Sequence, residues 1–175
     1  MRLTPYAGTA AALLLTGLLA APAVAQDGAA TESGQAVAAV TKISHSNATS
    51  RFSAAGITWR SSGNCSDRNR PTCTSFEQLN LNTALGAVTL KNASRCALTI
   101  TGGTETGHSS GTYSHWNGYK LDFSPTTCLN NYVTSTFTRI ADRGDGAKQY
   151  KAASGNIYAR ESNHWDVTFY SCGGC

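Results

Sequence analysis

Ser114-His115-Trp116-Asn117-Gly118-Tyr119-Lys120-Leu121-Asp122-Phe123 and Glu161-Ser162-Asn163-His164-Trp165-Asp166 are the stretches on which the reading of this chain turns. Tyr119–Phe123 reads as a short strand; Asn156–Arg160 and His164–Tyr170 read as two more, joined by a tight polar turn. Alternate side chains of a strand share a face, so His164 and Asp166 point one way while Trp165 packs the other. Asn117 and Gly118 can turn the backbone so that His115 and Asp122 meet at one point. Together the stretches supply two imidazoles, a carboxylate seven residues after the first, and a Glu three residues before the second. A hydrolytic zinc site draws on such a supply: three N/O ligands, an open position for water, and an unligated carboxylate to take the water's proton. Asp166 would then hydrogen-bond to an imidazole and orient it.

Working outward, Ala97–Thr101 is a buried strand candidate that stops at Gly102-Gly103, and Ile57–Trp59, just after Gly56, is a shorter one. Thr74-Ser75-Phe76-Glu77 fits a capping box, which predicts a helix from there carrying Phe76, Leu79 and Leu85. Leu129, Tyr132, Val133, Phe137 and Ile140 recur near helical spacing and predict a helix over 129–140. Short strands mixed with helices give an α+β fold, with a small, mostly antiparallel sheet and flanking helices.

At the N-terminus, Arg2 precedes an apolar run from Ala7 to Ala21, and Ala23-Val24-Ala25 is a small-x-small cleavage pattern. These mark residues 1–25 as a secretory signal peptide, too short to span a membrane, and imply a secreted, extracellular protein. Residues 26–50, rich in Ala, Gly, Ser and Thr, have little to bury and read as a flexible leader. The folded domain is then 51–175. About 150 exported residues support one domain with a real core and exclude a two-domain enzyme. Of the whole chain 14% is charged, the net charge is +4, and no Lys/Arg run occurs, so nucleic acid is not expected as a partner. All 6 cysteines lie in the exported part and read as disulfides. Six cysteines allow 15 pairings, and the sequence does not choose among them. The working expectation is Cys65–Cys73 locally, Cys96–Cys128 across the core, and Cys172–Cys175 at the end of the chain.

His115-x-x-Gly118-x-x-x-Asp122, followed by Glu161-x-x-His164-Trp165, resembles the signature of the D-Ala-D-Ala carboxypeptidase and dipeptidase family. These are zinc murein peptidases that share a fold with the Hedgehog signalling domain. Leu98-Thr99-Ile100-Thr101-Gly102-Gly103 looks like the strand and turn before the first motif in that family. The resemblance runs from Leu98 to Tyr170 and the motifs keep their order. It implies His115, Asp122 and His164 as Zn2+ ligands and Glu161 as general base. It also implies a short peptide, most plausibly that of peptidoglycan, as substrate. His108 is expected to hold substrate, and a monomer is expected. Two positions depart from the pattern: Thr104-Glu105-Thr106 stands where the family often has an Arg, and Lys120 where it usually has a small residue.

Two other readings compete. Gly107-His108-Ser109-Ser110-Gly111 matches the G-x-S-x-G nucleophile elbow, with Ser109 as nucleophile, which requires a strand before it and a helix straight after. The other is a disulfide-stapled wall-binding or inhibitor module without catalysis.

Overall fold

A computed structural model describes residues 40–170. The expected signal peptide, most of the leader, and Cys172 and Cys175 lie outside the described residues. The class is α+β, with three helices among the described residues and a mostly antiparallel sheet. The elements run β1 (Lys42–Ile43), α1 (His45–Ala54), β2 (Thr58–Trp59), β3 (Leu79–Asn80), α2 (Leu81–Ser94), β4 (Thr99–Gly102), β5 (Lys120–Phe123), α3 (Thr127–Thr136), β6 (Thr138–Ile140), β7 (Lys148–Lys151), β8 (Ile157–Arg160) and β9 (Trp165–Thr168). Seven strands form one sheet in the order β2-β4-β5-β9-β8-β7-β6, and β1 pairs separately with β3. Only β2–β4 is parallel in the larger sheet; its other pairs are antiparallel.

The core explains why these segments take these forms. Leu121 and Phe123 of β5, and Trp165 and Val167 of β9, are buried with Phe52, Phe76, Leu98, Ile100, Leu129, Val133 and Phe169. Their strand neighbours Lys120, Asp122 and Asp166 project from the opposite face, as the two-residue period requires. That face carries the polar cleft described below.

Residues 42–50, placed in the leader by the sequence, belong to the folded unit. Ser44 caps α1 by accepting from Asn47 N–H at 3.2 Å, and Ala48 and Phe52 of that helix are buried. The Ala/Ser/Thr composition conceals this because a single large side chain, Phe52, anchors the helix against Phe76 at 5.0 Å between ring centroids.

The capping box expected at 74–77 does not start a helix. The Thr74 hydroxyl instead donates to the Arg60 and Thr101 carbonyls at 2.9 and 3.2 Å. Gln78 takes a left-handed backbone (φ 63°), which no helix interior tolerates. Glu77 does satisfy a helix terminus, but that of α1, by accepting from His45 N–H at 3.0 Å. The helix carrying Leu85 starts later, at Leu81.

The helix expected over 129–140 stops at Thr136, and Thr138–Ile140 becomes edge strand β6, paired with Lys151–Gln149. Backbone pairing to β7 claims this β-branched end. Two disulfides match the expected pairs, Cys65–Cys73 and Cys96–Cys128.

Candidate metal centre

The central strands carry the site. Asp122 on β5 stands directly opposite Asp166 on β9, and both side chains are buried. Between Ile100 and Gly102 the β4–β5 register shifts, a bulge that falls beside Asp122. Gly102 is needed there: a Cβ at that position would lie 2.3 Å from Asp122 Oδ2.

His115 reaches the same place by a turn. Gly118 N–H donates to the His115 carbonyl at 2.8 Å and Tyr119 N–H to that of Ser114 at 3.1 Å. Gly118 has φ +77°, and a Cβ there would meet the Gln78 carbonyl at 2.6 Å. His115 is buried, and its Nδ1–H donates to the Gly103 carbonyl at 2.7 Å. That bond fixes the tautomer and leaves the Nε2 lone pair facing Asp122 Oδ1 at 3.3 Å.

Glu161 and His164 flank the hairpin turn between β8 and β9, closed by Glu161 N–H donating to the His164 carbonyl at 3.0 Å. His164 Nδ1–H donates to Asn163 Oδ1 at 2.7 Å. Its Nε2 then lies 3.5 Å from the same Asp122 Oδ1 and 3.4 Å from Glu161 Oε2.

His108 stacks on His115, with ring centroids 3.8 Å apart. Its Nε2–H donates to buried Glu105 at 3.2 Å, and its Nδ1 faces Asp122 Oδ2 at 3.9 Å. His108, His115 and Asp122 offer ligand atoms all within 4.8 Å of one another, a candidate metal-binding group.

Asp122 Oδ1 is buried and accepts no hydrogen bond. His115 Nε2 and His164 Nε2 lie 3.3 and 3.5 Å from it, an arrangement that a bound cation or a proton on an imidazole would satisfy. Donor atoms that share one metal ion at 2.0–2.2 Å stand roughly 3–4 Å apart, and each imidazole nitrogen is at such a distance from the Asp122 oxygen. The residues present could therefore hold a metal ion.

Without an ion, the charges are redistributed onto protons. Burial pulls the His115 imidazole down, but the Asp122 carboxylate, with help from Asp166 and the Gly103 carbonyl, outweighs it and holds the group above its ordinary value. Burial likewise pushes the Asp122 carboxyl up, while His115, then His164 and His108, outweigh it and hold it below the usual carboxylate range.

An open cleft of about 530 Å³ exposes the cluster, lined among others by His108, His115, Asp122, Arg143, Glu161 and His164. His115, Asp122, His164 and Glu161 all line this cleft, and the mutually close ligand group includes His108 with His115 and Asp122. Asp166 does not have the orienting role expected of it. Both imidazole Nδ1–H groups are taken, by Gly103 and Asn163, and Asp166 Oδ1 lies 3.8 Å from Nε2 of His115 instead. His108, expected at the substrate, lies against Asp122 and His115.

The sequence reading missed Arg143, on the loop between β6 and β7. It donates to Glu161 and, at 2.8 Å, to Asp166 Oδ2, and pairs with Asp145. Those carboxylates, Asp145 first, push its guanidinium further toward permanent charge. The charged turn Arg143-Gly144-Asp145-Gly146 was the available signal. Ser109 also lines the cleft, but no helix follows Gly111 until α3, so the strand-turn-helix context of a nucleophile elbow is missing.

Comparison with known protein families, with curated proteins and with solved structures finds no match to this chain.

Proposed function

We propose that the protein is a secreted, zinc-dependent peptidase that hydrolyses short peptides, with the peptide of peptidoglycan as its most natural substrate. One observation carries the reading. A buried carboxylate oxygen without a hydrogen bond is flanked at 3.3 and 3.5 Å by the free nitrogens of two tautomer-fixed imidazoles. On this reading His115, Asp122 and His164 hold the ion, and the sheet that presents them is of the Hedgehog and D-Ala-D-Ala peptidase kind that the two sequence motifs resemble.

A zinc ion held there would supply Lewis acidity, lowering the pKa of water from 15.7 to about 7 and polarising the scissile carbonyl. On this reading Glu161 carries the proton transfers. Arg143 holds one of its oxygens, and the other lies beside His164 at the cleft wall. It takes the proton of the attacking water and returns it to the leaving amine. Gly103 and Asn163 keep both imidazoles turned with Nε2 toward the site.

The test is metal analysis of the purified protein together with mass spectrometry of products from digested peptidoglycan. One zinc per chain, new amino groups released, and loss of both on chelation are expected. A metal-free preparation of full activity would end the proposal, as would wall binding with no bond cut.

A further inference from the structure

Asp166 is more deeply committed to this site than an orienting group needs to be. Its side chain is buried, and its two oxygens are treated differently. Lys120 Nζ at 2.6 Å and Arg143 Nη1 at 2.8 Å both bind Oδ2, so two cations clamp one oxygen. Oδ1 is buried and accepts no hydrogen bond. A carboxylate oxygen left unpaired in the interior costs free energy, and a clamp that holds it so implies a missing cationic partner.

The direction of Oδ1 says where that partner sits. Asp166 lies opposite Asp122 across the β5–β9 ladder, on the same face, with Oδ1 3.8 Å from His115 Nε2. His115 and His164 give their Nδ1–H groups to Gly103 and Asn163, so neither uses Asp166 as the acceptor that fixes its tautomer. Charge balance permits a second carboxylate. Asp122 and Asp166 together match the charge of one divalent cation, while Lys120 faces Asp166 and Arg143 faces Glu161 and Asp145 as well as Asp166.

We infer that Asp166 Oδ1 is a further ligand to the divalent cation held by His115, Asp122 and His164, presented by the Lys120–Arg143 clamp. The inference rests on the metal-site reading above and deepens it. The protein would supply two imidazoles and two carboxylates, and a five-coordinate ion would keep one position for water. The clamp accounts for Lys120 at a position where the resembled motif has a small residue.

The experiment compares wild type with Asp166→Asn, each stripped of metal. Zinc affinity is measured by chelator competition, and the ligand field by cobalt titration. Wild type should bind one ion. Asp166→Asn should bind zinc about tenfold or more weakly and shift the cobalt visible bands, with the metal-free melting temperature reported alongside. Unchanged affinity and unchanged bands in Asp166→Asn would overturn the assignment of Asp166 alone, whereas a wild type that binds no divalent ion would overturn the peptidase reading as well. Should Asp166→Asn not fold, X-ray absorption of zinc-loaded wild type decides. Five nearest N/O neighbours support the inference, and four contradict it.

Discussion

Asp122 and Asp166 face each other across adjacent antiparallel strands, and each buries an Oδ1 that accepts no hydrogen bond. Two carboxylates side by side on one face of a sheet repel, and cross-strand like charges normally destabilise a ladder. Here each is surrounded by cations or cation-seeking groups: His108, His115 and His164 around Asp122, Lys120 and Arg143 around Asp166. Both side chains line the cleft.

Glu161 and His164 should separate chemistry from binding. Glu161→Gln is expected to keep the metal and lose turnover by roughly 10²–10⁴-fold, the usual worth of a positioned acid–base group. His164→Ala should lose metal along with activity. Metal content and kcat measured on both variants test this; equal metal loss in the two would show the roles to be misassigned.

Arg143→Gln should lower kcat by roughly 10–100-fold, because the guanidinium holds both Glu161 and Asp166. A rise in KM at constant kcat would instead assign Arg143 to substrate binding.

The metal-free protein should show a bounded optimum of stability in pH. The His115 imidazole is held above its ordinary value, so its contribution is complete below that ordinary value and is lost as pH rises through the raised one. The Asp122 carboxyl is held below its ordinary value, so its contribution is present above that value and is lost as pH falls through the depressed one. Zinc reverses the alkaline limb, since it binds only the neutral imidazole. The zinc-induced rise in Tm should therefore shrink as pH falls through the raised His115 value, starting above the ordinary 6.5. Thermal melts across pH with and without zinc measure both; a zinc shift that does not depend on pH would contradict histidine ligation.

Gly102→Ala puts a methyl 2.3 Å from Asp122 Oδ2, so the carboxylate must move. Zinc affinity should fall about tenfold or more, read by chelator competition. Gly86→Ala is a control away from the cleft. Its methyl would meet the Phe169 ring at 2.4 Å, overpacking the core by about 1–3 kcal/mol and lowering Tm with zinc affinity unchanged.

Replacing Cys96 and Cys128 together by Ala opens a crosslink between residues 32 apart. Chain entropy alone makes this worth roughly 3–4 kcal/mol, read as a drop in the denaturant midpoint. Loss of the local Cys65–Cys73 link, between residues 8 apart, should cost less because the loop is shorter.

Much of the sheet could be read along the chain. The β4, β5, β8 and β9 strands follow from short apolar alternations bounded by Gly or polar turns, and the grouping of His115, Asp122, Glu161 and His164 from their spacing. Local signals failed where a distant segment took over a group. Glu77 caps α1 rather than its own segment, and Thr138–Ile140 pairs with β7 rather than extending α3.

What the residues settled alone was the supply: which imidazoles and carboxylates exist, at what intervals, and on which strand face, because strand period and turn chemistry are local. Only the folded chain decided which oxygen is left unpaired and what clamps it. Arg143 reaches Glu161 and Asp166 from a different hairpin, and Lys120 reaches Asp166 across a strand pair. Such contacts depend on register between strands far apart in sequence, which the β5–β9 pairing sets and local spacing does not encode.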